Sequence, residues 1–193
     1  MALNKLALSG YFLVAMPSSG ESIFDNSVVY ILKHDEDGAL GVVINKPSPH
    51  DLTDFVEPMN PDLDDANIHE IPKDSWGKIQ EKFPESKILT GGPLGLDHIL
   101  VVTEGDTMPE MLDSTEILQD YAKGTGSKRL VVFNGYSSWA PNQLEEEIVS
   151  NYWITLKGDL SLIFEVPIED RYRKAFEFIG IEPHDLHGGS GNA

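Results

Sequence analysis

The sequence predicts an α/β fold of the mixed α+β kind, a mixed β-sheet flanked by helices. Runs rich in β-branched and aromatic residues recur along the chain. Apolar stripes at helical spacing lie between several of them. The two kinds of segment interleave without strict alternation, and no internal repeat is visible. With 193 residues, 40% of them hydrophobic, the chain can build a core without a staple, since a domain of this size buries about 70% of the surface of its extended form. The expected organisation is a single domain over residues 1–187, or two lobes sharing one core, followed by a flexible tail at 188–193.

The elements follow in order. Residues 11–14 (YFLV) suit a buried strand. Residues 27–34 (SVVYILKH) and 39–45 (ALGVVIN) suit a hairpin, with Asp35-Glu36-Asp37-Gly38 as its tight turn. Apolar residues on both faces of these strands imply a sheet covered on both sides. Ser48 and Pro49 can open a helix with Leu52, Phe55, Val56 and Met59 inward. Residues 58–67 suit an exposed loop, and 71–83 a helix burying Trp76, Ile79 and Phe83. Short strands are expected at 87–90 and 98–103, around a Gly91-Gly92-Pro93 turn. A helix from Asp113 or Ser114 would end at Gly124. Residues 130–133 read as a strand that turns at Asn134-Gly135-Tyr136 and enters a helix at Pro141. Residues 152–156 and 160–166 read as a hairpin around Lys157-Gly158-Asp159. The last helix starts near Pro167, buries Ile168, Tyr172, Ala175, Phe176 and Ile179, and stops at Gly180.

Composition excludes several functions. The chain has no cysteine, which removes disulfides, thiolate metal sites and cysteine nucleophiles. Lysine and arginine number 14 against 32 acidic residues, a formal charge of −18. That balance argues against direct nucleic-acid binding, which needs cationic side chains to displace counterions. The apolar stretch at residues 6–20 is short of the ~20 residues of a spanning helix and lacks a cleavage site. A cytoplasmic protein, without membrane association, is the expectation.

Motifs weigh towards structure. Gly124-Thr-Gly-Ser-Lys128 follows a helix and opens a strand, the reverse of a phosphate-binding loop. Gly135-Tyr136-Ser137 stands where a hydrolase would place its nucleophile, but Trp139 replaces the second glycine of that elbow. Ser137 and Ser138 fit a turn that caps the next helix. His184 and His187 flank Asp185 near the tail without a rigid further ligand, so no metal is expected. In the helix after Pro141, Leu144 and Ile148 mark the buried stripe. Gln143, Glu147 and Asn151 recur every four residues along its edge.

The set GYFLVAMP at 10–17, SVVY at 27–30, GALG at 38–41, INKP at 44–47, GGP at 91–93 and Gly135-Tyr136…Trp139…Gln143-Leu144-Glu145 resembles the AlgH family of bacterial proteins, also called YqgE. Order and spacing match over nearly the whole chain, and Asn142 stands where the family usually has glycine. The resemblance implies a strongly bent, partly barrel-like mixed sheet covered by helices. The family name comes from a proposed role in regulating exopolysaccharide (alginate) synthesis, and its members are commonly described as candidate transcriptional regulators. The resemblance carries no agreed reaction.

The residues together favour a non-enzymatic regulatory or binding module, acting on transcription indirectly if it regulates it. Its expected cleft joins Asn45, Lys46, Gly91, Gly92, Trp139, Gln143 and Glu147. Lys46 would supply charge, Trp139 a stacking surface, and Gln143 with Glu147 directional hydrogen bonds. A small molecule or a protein is the expected partner, with no cofactor. The alternative is a hydrolase or acid–base enzyme using the 135–147 turn and helix.

Overall fold

The structure, a computed structural model, describes residues 7–17, 22–50, 88–104, 129–158 and 160–181. Among the described residues seven strands form a mixed sheet: β1 (Phe12–Ala15), β2 (Val28–Asp35), β3 (Gly38–Val43), β4 (Leu89–Thr90), β5 (Leu94–Thr103), β6 (Leu130–Trp139) and β7 (Trp153–Leu156). Along the sheet the order is β4-β6-β3-β2-β1-β7, and β5 also pairs with β6. Among the described residues only β4 and β6 run parallel. The sheet does not close: among the described residues β7 pairs with β1 alone.

Both faces are covered, as the doubly apolar strands require. On one face Phe12, Val14, Tyr30, Val42 and Phe133 meet α2 (Ser161–Phe164) and α3 (Arg171–Ile179) through Leu162, Ile163, Ala175 and Phe176. On the other, Leu13, Val29, Ile31 and Val43 pack with Trp139, Trp153 and Leu144 of α1 (Gln143–Val149). The alternation along β2, with Val28, Tyr30 and Leu32 on one side and Val29 and Ile31 on the other, is the period-two geometry of a strand. α3 follows a short 3₁₀ turn at Ile168–Asp170 and ends at Gly180 in the left-handed region. Among the described residues no helix is long and apolar enough to cross a membrane.

Three expectations need correction. The chain does not turn at Asn134-Gly135-Tyr136; β6 continues to Trp139. Gly135 takes φ of +71°, which re-aims the strand without ending it. Residues 130–136 thereby pair with β5, and residues 137–139 with β3. Ser137 and Ser138 consequently lie in the strand. The residue before α1 is Asn142, with φ of 66° and no side-chain cap, and asparagine is the usual non-glycine choice in that region. Finally, residues 160–166 do not form a second hairpin strand. They hold α2, because Leu162 and Ile163 both bury against the sheet while the chain folds back towards α3. A short apolar run is compatible with either form. Ser48 Oγ accepts the His50 N–H where a helix is expected to open; the body of that helix from residue 51, the helices expected at 71–83 and 113–124, the 124–128 motif, His184, His187 and the 188–193 tail lie outside the described residues.

Candidate functional site

The ends of β1 and β7 lie side by side, Ala15 opposite Trp153. Before β2 the chain makes a tight turn over residues 22–27, in which Ser22 N–H reaches Asp25 Oδ2 and Phe24 N–H reaches Ser22 Oγ. Asn26 leaves this turn with φ of 54°. After α1, Asn151 takes φ of 59°, and Tyr152 N–H closes on the Glu147 carbonyl. These left-handed asparagines reverse the chain on both sides of one concavity. The result is a recess of about 460 Å³ between the end of β1, the 22–25 turn and the 147–153 corner.

Glu147 fixes its wall. Its Oε2 accepts the indole N–H of Trp139 at 2.8 Å and that of Trp153 at 2.7 Å. Its Oε1 accepts Gln143 Nε2 at 2.9 Å. The two indoles meet edge to face, centroids 6.1 Å apart, and Phe24 packs on both. Edge-to-face contact is the arrangement that aromatic quadrupoles favour. α1 is further tied to the sheet by His34, whose Nδ1 accepts Leu8 N–H while Nε2 faces Glu145 Oε1 at 3.2 Å. Tyr172 donates its hydroxyl to the carbonyl oxygen of Ala15, a lining residue, at 2.8 Å. Burial, and secondarily the Asp25 charge, push the Tyr172 hydroxyl up to about 12.

The seven residues picked out from sequence fall into three groups. Trp139, Gln143 and Glu147 form the connected network just described, and Glu147 also lines the recess. Asn45 and Lys46 brace the turn opposite. Asn45 Oδ1 accepts Val28 N–H and its Nδ2 donates to Asn26 O; Lys46 Nζ donates to Asp25 O at 2.7 Å. Phe24 and Asp25 therefore link this second group to the first. Gly91 and Gly92 form the third, in the fork between β3 and β6. There Gly91 O accepts Val43 N–H and Gly91 N–H donates to Asn134 O. A Cβ would come within 2.2 Å of Gly135 O at Gly91 and of Tyr136 O at Gly92, so close backbone packing accounts for both glycines.

Sequence reading did not pick out the 22–25 turn, Tyr152 or Trp153 as site residues. Trp153 fell within an expected strand, and nothing in a linear pattern tells a tryptophan that hydrogen-bonds across an element from one that fills space. Ser137, the elbow serine, is 1% exposed and donates to Gly91 O at 3.3 Å. Among the described residues no three His, Cys, Asp or Glu side chains come together as a metal-ligand group.

Comparison with known proteins places these features in a wider set. The family model described as AlgH-like matches residues 12–184. A UPF0301 protein from Neisseria meningitidis serogroup C is 34% identical over 197 residues, covering 96% of this chain and 99% of its own. One from Acidovorax sp. strain JS42 is 35% identical over 191 residues, covering 96% of both chains. The solution structure of the AlgH protein from Pseudomonas aeruginosa matches with a TM-score of 0.68 and 28% identity, over 97% of this chain and 96% of that one. A crystal structure of a Corynebacterium diphtheriae protein shares the fold with a TM-score of 0.56 and 20% identity, over 90% and 89% of the two chains.

Proposed function

The chain belongs to the AlgH-like family, and we propose that it is a binding module whose partner occupies the recess between the 22–25 turn and the 147–153 corner. The observation that carries this reading is the wall. Glu147 and Trp153, locked to each other and held from behind by Trp139 and Gln143, line a concavity of about 460 Å³, within the range of ~300–1,000 Å³ typical of ligand pockets. Preorganised walls lower the entropy cost of holding a partner. Any regulatory effect on transcription is then exerted through that partner. A formal charge of −18 opposes direct contact with nucleic-acid phosphates.

The hydrolase alternative fits less well. Ser137 is enclosed by the sheet and donates to a backbone carbonyl, and Glu147 has both oxygens engaged by donors. A thermal-shift screen against a library of organic amines, amino-acid derivatives and organic acids tests the proposal, because ligands of the native state raise apparent stability by mass action. Hits are expected to raise the Tm of the wild type and not of Ser150→Trp, in which an exposed lining position carries a bulky ring. A library that leaves the wild-type Tm unmoved, or moves both proteins alike, removes the reading.

A further inference from the structure

We infer that the recess is an anchor pocket for a basic side chain, arginine or lysine, carried on an extended segment of a partner protein. This deepens the binding reading above and rests on it. The first ground is how Glu147 is held. Its three side-chain donors, two indoles and a primary amide, are neutral. They orient the carboxylate without cancelling its charge, so a fixed negative charge stands at the wall. Asp25 adds a second carboxylate across the recess, and among the described lining residues none is Lys, Arg or His. α1 ends beside the recess with no basic residue in its last turn, so the negative end of its dipole adds to the same field.

The second ground is the lining itself. Phe24, Tyr152 and Trp153 bring aromatic surface beside the carboxylates, and aromatic faces attract ammonium and guanidinium groups. The third concerns the source of the cation. Three large apolar side chains at or beside the mouth are strongly exposed: Ile23 at 68%, Val149 at 74% and Tyr152 at 65%. A free amine would leave them in water. A polypeptide that inserts one basic residue covers them with its neighbours, giving the charged centre and apolar surround of an anchored interface. The overall negative charge would also speed the approach of a basic segment.

The test uses the full ¹⁵N-labelled chain and three probes. One is a pool of acetylated, amidated pentapeptides with central arginine and Ala, Leu or Val elsewhere; the second has glutamine at the centre; the third is N-acetylarginine amide. The arginine pool is expected to shift the amides of residues 22–25 and 147–153. It should bind about tenfold more tightly than the glutamine pool or the free amide, a difference that weakens as salt is raised. Asp25→Asn should weaken the arginine pool and leave the glutamine pool unchanged. Ile23→Ser and Val149→Ser, both at exposed positions, should weaken the peptides and not the free amide.

Equal affinity for the arginine and glutamine pools overturns the inference, as does equal affinity for the pool and the free amide. If no probe shifts these amides while library compounds still raise the Tm of the wild type and not of Ser150→Trp, the binding module stands and the basic-segment inference falls. If neither probes nor library bind, both fall.

Discussion

Trp153 donates its indole N–H to Glu147 across 2.7 Å, and the same carboxylate oxygen takes the indole of Trp139 at 2.8 Å. One side chain at the edge of α1 thus satisfies two buried donors from strands β6 and β7. Removing it should cost more than an average surface change. Glu147→Ala strands both indoles and is expected to lower stability by about 3 kcal/mol, from ~1–3 kcal/mol for each orphaned donor. Glu147→Gln keeps an acceptor and should lose only about 1 kcal/mol. Urea unfolding followed by tryptophan fluorescence measures both, with unchanged slope marking a true stability effect. A Glu147→Ala midpoint equal to that of the wild type would show that the network contributes nothing.

Arg171 tests the opposite face. It is 6% exposed, and among the described residues no carboxylate bonds to it; instead Nε donates to Val166 O, and its terminal nitrogens donate to Ile44 O and Ile163 O. The guanidinium therefore ties the start of α3 to α2 and to the chain just beyond β3. Arg171→Ala leaves three carbonyls without this donor and should cost about 3 kcal/mol, while Arg171→Lys, which cannot fork to all three, should cost roughly half that. Denaturation of the two variants in parallel decides it. Equal losses would mean that the fork carries the whole effect and the stem that lysine keeps contributes nothing; a lysine variant as stable as the wild type would mean that the fork does not matter.

These two networks also explain what was legible in the sequence. The β2–β3 hairpin, β7 and the last helix were readable because strand and helix periodicities are local, as with Ala175 and Phe176 facing the sheet. The bend at Gly135 and the helix at 161–164 were not. Each depends on what the segment packs against: β3 for the end of β6, and the sheet face for Leu162 and Ile163. Within the candidate site, the four-residue rhythm of Gln143 and Glu147 on α1 was visible. Their joining to Trp153 and to the 22–25 turn comes from tertiary contacts that no spacing encodes.

Two glycines separate steric demand from backbone demand. Gly10 has φ of +81° and open space where a Cβ would sit, so Gly10→Ala should cost only the conformational penalty, about 1 kcal/mol. At Gly92 a Cβ would meet Tyr136 O at 2.2 Å and its carbonyl carbon at 2.3 Å. Gly92→Ala must push β6 away and should lose at least about 3 kcal/mol. Thermal unfolding of the pair gives the contrast directly. A Gly92→Ala protein as stable as Gly10→Ala would mean that the fork between β3 and β6 opens freely.

Alkaline pH isolates Tyr172. Burial and the nearby Asp25 charge raise its hydroxyl from the usual value near 10 to about 12. The folded state therefore holds this proton over a range in which the unfolded chain has released it. Its contribution is fully present below pH 10 and is lost as the pH climbs through about 12. Burial also lowers the neighbouring Arg171 guanidinium from its usual value, but donation to three carbonyls keeps it protonated over this range. Tyr172→Phe deletes the falling component. The variant should be less stable by about 1 kcal/mol near neutrality, having lost the hydrogen bond to Ala15 O. That deficit should shrink as the pH rises above 10. Urea titrations of both proteins at a series of alkaline pH values give the difference curve. A deficit that stays constant with pH would mean that the hydroxyl titrates alike in the folded and unfolded chains.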